Sequence, residues 1–151
     1  MQPTFLPKLP CLCANLRRAA RALTQRYEKA LEPTGLSATQ MTILQVLSRA
    51  GEVTQGQLGE MLAMDSTSLT RTLAVMDKKG NEWIAERRGK DRRERWLRLS
   101  AAGVKQLRRA EPIWEEVQSQ VQKELGEEDW KHLMELMYRA TETLKTKGDA
   151  S

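Results

Sequence analysis

At Trp83 the spacing of apolar residues along this chain changes from every third or fourth position to every second. Upstream lie short segments with helical spacing. Downstream, Trp83–Arg87 and Trp96–Leu99 read as strands around the turn Gly89-Lys90-Asp91. Few folds accept this order of helix, helix, helix and then a narrow two-stranded ribbon.

The helical segments carry their own punctuation. Leu12, Leu16, Ala20, Leu23, Tyr27 and Leu31 mark an amphipathic helix from Cys11 to Leu31, closed by Pro33 and Gly35. Ser37-Ala38-Thr39-Gln40 reads as a capping box opening a helix with Met41, Leu44, Val46 and Leu47 inward, up to Gly51. A second box, Thr54-Gln55-Gly56-Gln57, opens a short helix with Leu58, Met61 and Leu62. After a break at Ala63-Met64, Asp65 or Ser66 caps a helix carrying Leu69, Leu73 and Met76, which ends with Lys78-Lys79 and Gly80. Beyond the ribbon, Ser100 caps a long helix with the stripe Val104, Leu107, Ala110, Trp114, Val117, Val121 and Leu125. Gly126 ends it, and a last helix carries Trp130, Leu133, Met134, Met137, Ala140 and Leu144.

The expected fold is therefore mainly α with a small β-hairpin wing: a winged helix-turn-helix plus N- and C-terminal dimerisation helices. The expected organisation is one compact domain. Residues 1–10 form an irregular arm holding Pro3, Pro7 and Pro10, 37–99 form the winged lobe, and 11–35 with 100–147 form dimerisation helices. At 151 residues the chain can bury one core without disulfides, and one Phe with two Tyr favours helix packing over a large sheet.

Charge placement narrows the function. The formal net charge is +5, and the stretch from Lys78 to Arg98 alone holds nine basic residues against four acids. Such a concentrated surplus suits a polyanion. In a helix-turn-helix the second helix turns its first residues to the major groove. Here those residues are Asp65-Ser66-Thr67-Ser68-Leu69-Thr70-Arg71. Short hydroxyl side chains permit close approach, and Arg71 can reach guanine O6 and N7 or a phosphate. Arg88, Lys90, Arg92 and Arg93 cluster at the ribbon tip, where arginine suits a narrow, electronegative minor groove. Asp91 among them is expected to hold a neighbouring arginine and brace the tip.

Asp91-Arg92-Arg93 followed by Leu97-Arg98-Leu99-Ser100-Ala101-Ala102-Gly103 resembles the wing signature of the MarR family of bacterial regulators. Ser37–Gln40, Leu58-Gly59 and Leu69–Leu73 resemble its helix-turn-helix, and the likeness runs over residues 11–146. It implies a winged-helix homodimer on pseudo-palindromic double-stranded promoter DNA, with terminal helices forming the interface. Implied DNA contacts are Ser66, Thr67, Ser68, Thr70 and Arg71 on the recognition helix and Arg92 and Arg93 on the wing, with Asp91 as brace. The segment Gly80–Ile84 is a residue or two longer than the family's usual approach to the first wing strand, so a difference in wing register is expected there.

Cys11 and Cys13 are candidates for redox or soft-metal sensing, because thiols at a helix start react more readily. Positions i and i+2 point to opposite sides of a helix, so a bridge or shared ion between subunits fits better than an internal disulfide. The alternative is two small buried hydrophobes. A small-molecule effector, aromatic or anionic, is implied by the family resemblance alone. No cofactor, resident metal or catalytic site is expected: His132 is the only histidine and has no nucleophile or carboxylate set beside it. The expected location is cytoplasmic. The function is read as a transcription regulator, expected to repress, that a small ligand or thiol modification releases from DNA. The competing reading is a winged-helix protein–protein adaptor, which would lack the arginine cluster.

Overall fold

The computed structural model describes residues 8–78 and 80–145. Most of the arm, Lys79 and the C-terminal residues 146–151 lie outside them. The order is α1 (Leu12–Leu31), a 3-10 turn (Glu32–Thr34), α2 (Ala38–Ala50), β1 (Val53–Thr54), α3 (Gln55–Leu62), α4 (Ser66–Lys78), β2 (Ile84–Arg88), β3 (Arg95–Leu99), α5 (Ala101–Leu125) and α6 (Glu127–Leu144).

Local chemistry sets the boundaries. Ser37 accepts the Gln40 N–H while the Gln40 side chain takes the Ser37 N–H, and Thr54 and Gln57 repeat the exchange before α3. Each box satisfies two N–H groups that a helix start leaves without partners. Cys11 is not the first residue of α1 but its cap: the Sγ accepts the Ala14 N–H at 3.5 Å.

The expected two-stranded hairpin is a three-stranded antiparallel sheet in the order β1-β3-β2. Val53 pairs with Leu97 and Thr54 with Trp96, so β3 is central and its inward Leu97 is buried. The tip is also wider than Gly89-Lys90-Asp91, running from the end of β2 at Arg88 to the start of β3 at Arg95.

Before β2 the chain turns through two left-handed residues, Gly80 (φ 64) and Glu82 (φ 49). The strand then starts with Ile84 opposite Leu99. Ser100 locks this corner: its N–H donates to the Trp83 carbonyl at 3.0 Å and its hydroxyl to the Glu82 carbonyl at 2.5 Å. The same hydroxyl accepts the Gly103 N–H at 3.0 Å and caps α5. A side chain at Gly103 would collide with the Trp83 carbonyl oxygen, so the spacing Leu97, Leu99, Ser100, Gly103 is a packing requirement of this corner.

One core joins the lobe. Leu31, Met41, Ile43, Leu44, Leu47, Leu58, Leu69 and Leu97 are fully buried, with Leu73, Met76 and Trp83 around them. α5 joins this core through Leu107 and Ala110. It is tied to α1 by a bidentate Arg26–Glu124 pair and a Tyr27–Gln118 hydrogen bond. The stripes of α1 and α6 are covered only in part: Leu16 and Tyr27 of α1 and Trp130, Met134, Met137 and Ala140 of α6 are half-buried. Leu12, Leu23, Leu133, Leu136, Tyr138 and Leu144 are exposed, and α6 buries no residue at all.

Candidate nucleic-acid interface

The turn between α3 and α4 is tight because Ala63 takes a left-handed conformation (φ 51) and the Met64 N–H donates back to the Gly59 carbonyl at 2.9 Å. Gly59 lets the helices cross closely: a Cβ there would sit 3.2 Å from the Met64 carbonyl and 3.6 Å from Leu69 Cδ2. α4 is thus seated by Leu69, Leu73 and Met76 underneath, while Ser66, Thr67, Ser68, Thr70 and Arg71 face solvent.

Asp65 is the residue that caps α4. One carboxylate oxygen accepts the Ser68 N–H at 2.8 Å and the other accepts the Ser68 hydroxyl at 2.6 Å. The Ser68 hydroxyl hydrogen bond is the main cause holding the Asp65 carboxyl below the ordinary range. Thr70 Oγ1 accepts from the Gln55 side-chain amide at 2.9 Å. Gln55 Oε1 accepts in turn from Arg95 at 3.0 Å, which joins the recognition helix to the wing.

At the wing tip Gly89 N–H bonds the Glu94 carbonyl at 2.9 Å and Glu94 N–H bonds the Asp91 carbonyl at 3.0 Å. Asp91 holds Arg93 by its backbone N–H, at 3.0 Å, and not by a guanidinium as expected. A carboxylate two residues before an amide closes that turn without crossing the tip, which leaves the Arg93 side chain free of it. Arg88 reaches the Arg92 carbonyl at 3.2 Å. Among the described residues Lys90, Arg92 and Arg93 have no ion-pair partner.

Two other arginines of the basic stretch are committed elsewhere. Arg87 grips Glu52 in a bidentate pair at 2.9 and 2.7 Å and lies over the Trp96 ring, 4.8 Å from its centre. Arg95 grips Glu86 at 2.8 and 2.5 Å. These hydrogen bonds lower the carboxyls of Glu52 and Glu86 and raise both guanidinium groups. The functional charge of the wing is therefore smaller than its composition, and concentrated at the tip. Gln55, Glu52 and Glu86 were not legible as parts of this interface, because their partners depend on strand register and helix crossing.

An open groove of about 860 Å³ lies where the end of α1 and the start of α2 meet α4. Glu28, Lys29, Leu36, Thr39, Arg71 and Val75 line it. Cys11 and Cys13 are both exposed at the start of α1, not buried. His132 is exposed on α6. No group of three or more His, Cys, Asp or Glu suited to a metal ion occurs among the described residues, and none of their helices is long and apolar enough to cross a membrane.

The sequence profile of the MarR family matches residues 34–94, from the 3-10 turn to the wing tip. A Bacillus subtilis protein described as the uncharacterised HTH-type transcriptional regulator YwoH is 29% identical over 94 residues, covering 62% of this chain and 67% of its own length. The solved structure of the Mycobacterium tuberculosis transcriptional regulator MosR in complex with DNA is similar at 34% identity and a TM-score of 0.79. That match covers 88% of this chain and 95% of MosR. Apo MarR from Escherichia coli shares the fold at 18% identity and a TM-score of 0.66, over 89% of this chain and 98% of its own.

Proposed function

The chain belongs to the MarR family of transcriptional regulators, and on that footing we propose that it is a repressor binding pseudo-palindromic promoter DNA as a homodimer. The recognition helix α4 enters the major groove with Ser66, Thr67, Ser68, Thr70 and Arg71, and the wing enters the minor groove with Arg88, Lys90, Arg92 and Arg93. One observation carries this reading. The exposed hydroxyl turn of α4 and the wing bearing the unpaired cations are hydrogen-bonded into one unit through Gln55 and Arg95. An adaptor surface would have no need of that unit.

The exposed leucines of α6, with Leu12 and Leu23 of α1, support a second copy as partner. Two-fold symmetry would then set two recognition helices about one DNA turn apart. Transcriptional regulators of this family are not enzymes, and a regulator that works on bacterial promoter DNA resides in the cytoplasm. The groove beside α4 supports release by a small ligand, since Arg71 belongs to both surfaces. The exposed Cys11 and Cys13 support thiol modification as a second route. Peroxide treatment of the wild type beside a Cys11→Ser/Cys13→Ser variant tests it, and equal DNA affinity in every case removes it.

The test of the main reading is fluorescence anisotropy with a duplex from the gene's own upstream region, against a scrambled duplex, across salt. The expected preference is about 10³ or more, with a steep fall in affinity as salt rises. Equal, weak binding to both duplexes would transfer the fold to the adaptor reading.

A further inference from the structure

Four side chains run in a line from the wing to the recognition helix, and each bond in the line has a forced direction. The Glu86 carboxylate only accepts, and Arg95 only donates. Arg95 therefore requires the oxygen of the Gln55 amide, at 3.0 Å, and turns the Gln55 NH2 group toward Thr70, at 2.9 Å. An amide N–H donates, so Thr70 Oγ1 must accept, and the hydroxyl hydrogen is left over.

Where that hydrogen goes is the informative part. Thr42 and Thr72 spend theirs on the carbonyls four residues back, Ala38 at 3.0 Å and Ser68 at 2.9 Å. Thr70 makes no such bond among the described residues and is exposed. Its neighbour Ser68 has the opposite polarity, because its hydrogen is committed to Asp65 and only lone pairs remain to face outward.

We propose that Gln55 is a positioning residue that fixes Thr70 as an outward hydrogen-bond donor, so that α4 seeks an acceptor on DNA at that point. The acceptor is a purine N7, guanine O6 or thymine O4 in the major groove, or a phosphate oxygen. This rests on the DNA-binding reading above. It adds to that reading a residue on α3 that sets what α4 can recognise without itself touching DNA, and it makes wing strand β3 part of the mechanism.

Gln55→Glu tests the direction of the relay. The substituted carboxylate keeps an oxygen for Arg95 but has no hydrogen to give Thr70, whose hydroxyl then donates inward and turns lone pairs outward. The full-length protein, Gln55→Glu, Thr70→Val and the double variant are each used to capture duplexes from a randomised pool, which are sequenced. Anisotropy then gives each affinity for the duplex enriched by the wild type, with circular dichroism confirming the fold. The negative charge that Gln55→Glu adds weakens binding in either background. The relay predicts a further loss of roughly tenfold that appears only when Thr70 is present. A base acceptor changes the enriched sequence at one position per half-site, whereas a phosphate acceptor leaves the sequence unchanged and lowers affinity alone. Equal losses from Gln55→Glu in the wild-type and Thr70→Val backgrounds would overturn the relay. A wild type that enriches no sequence would overturn the DNA-binding reading itself.

Discussion

Leu44 on α2 and Leu133 on α6 both sit in the apolar stripe of an amphipathic helix, yet Leu44 is fully buried and Leu133 is 41% exposed. Within the lobe, α2, α3, α4 and the sheet cover one another, and the caps, the Ser100 corner and the Gln55 link close the polar groups. At the termini, α6 leans on α5 with Trp130, Met134 and Met137 half-buried and leaves Leu133 and Leu144 of its stripe exposed. The difference teaches that an apolar stripe reports that a surface is covered in the working state, but not by what. The lobe covers its own apolar face within one chain, while the proposed dimer would have a second copy cover the exposed leucines of the terminal helices.

Substitutions in the two regions should fail in different ways. The largest effect is expected from Leu133→Asp/Leu136→Asp, since each change enters a two-fold interface twice. By area, losing the burial of the exposed two fifths of two leucines removes about 1–2 kcal/mol per subunit. An aspartate carboxylate there adds the cost of desolvating a charge, enough to leave monomers with intact helix content. Sedimentation read beside circular dichroism checks both halves of that statement. Leu44→Ala should instead lower stability by about 2–5 kcal/mol through a cavity, with the protein still dimeric before it unfolds in denaturant. If Leu44→Ala dissociates the dimer, or the α6 pair unfolds the lobe, the two regions are not separable.

Next in size is Arg92→Ala/Arg93→Ala. It removes cations without ion-pair partners at the tip and should weaken binding on every sequence, lowering the slope of log affinity against log salt by about two. Arg87→Ala, which loses a pairing with Glu52, should leave that slope nearly unchanged.

The smallest effect concerns acid. Asp65 titrates below its ordinary range in the folded chain, so its contribution to stability is complete above the ordinary carboxylate range. That contribution is lost as pH falls through the lowered folded value. Asp65→Asn retains a capping oxygen without the titration, so thermal melts of the variant should lack this acid-side decrement.

What the sequence made legible was mostly local. Ser37 with Gln40 and Thr54 with Gln57 could be paired by counting three residues, and the structure keeps both boxes. Spacing alone leaves Asp65 and Ser66 equal as caps, and the hydrogen bonds from Ser68 assign the cap to Asp65. Strand β1 was missed because two residues carry no period of their own: Val53 becomes a strand only by meeting Leu97 across the fold. The wing arginines looked alike in composition, and only pairing separates Arg87 and Arg95, held by Glu52 and Glu86, from Arg92 and Arg93. Asp91 takes the Arg93 backbone N–H and no guanidinium, because a carboxylate beside a turn finds a backbone N–H sooner than a distant side chain.

Sedimentation equilibrium of the wild-type chain across nanomolar to micromolar concentrations tests the comparison most directly. The account predicts a species of twice the 17.2 kDa chain mass that persists through the micromolar range. A stable, folded 17.2 kDa monomer at those concentrations would contradict it, because the open face of α6 would then have no second copy to cover it.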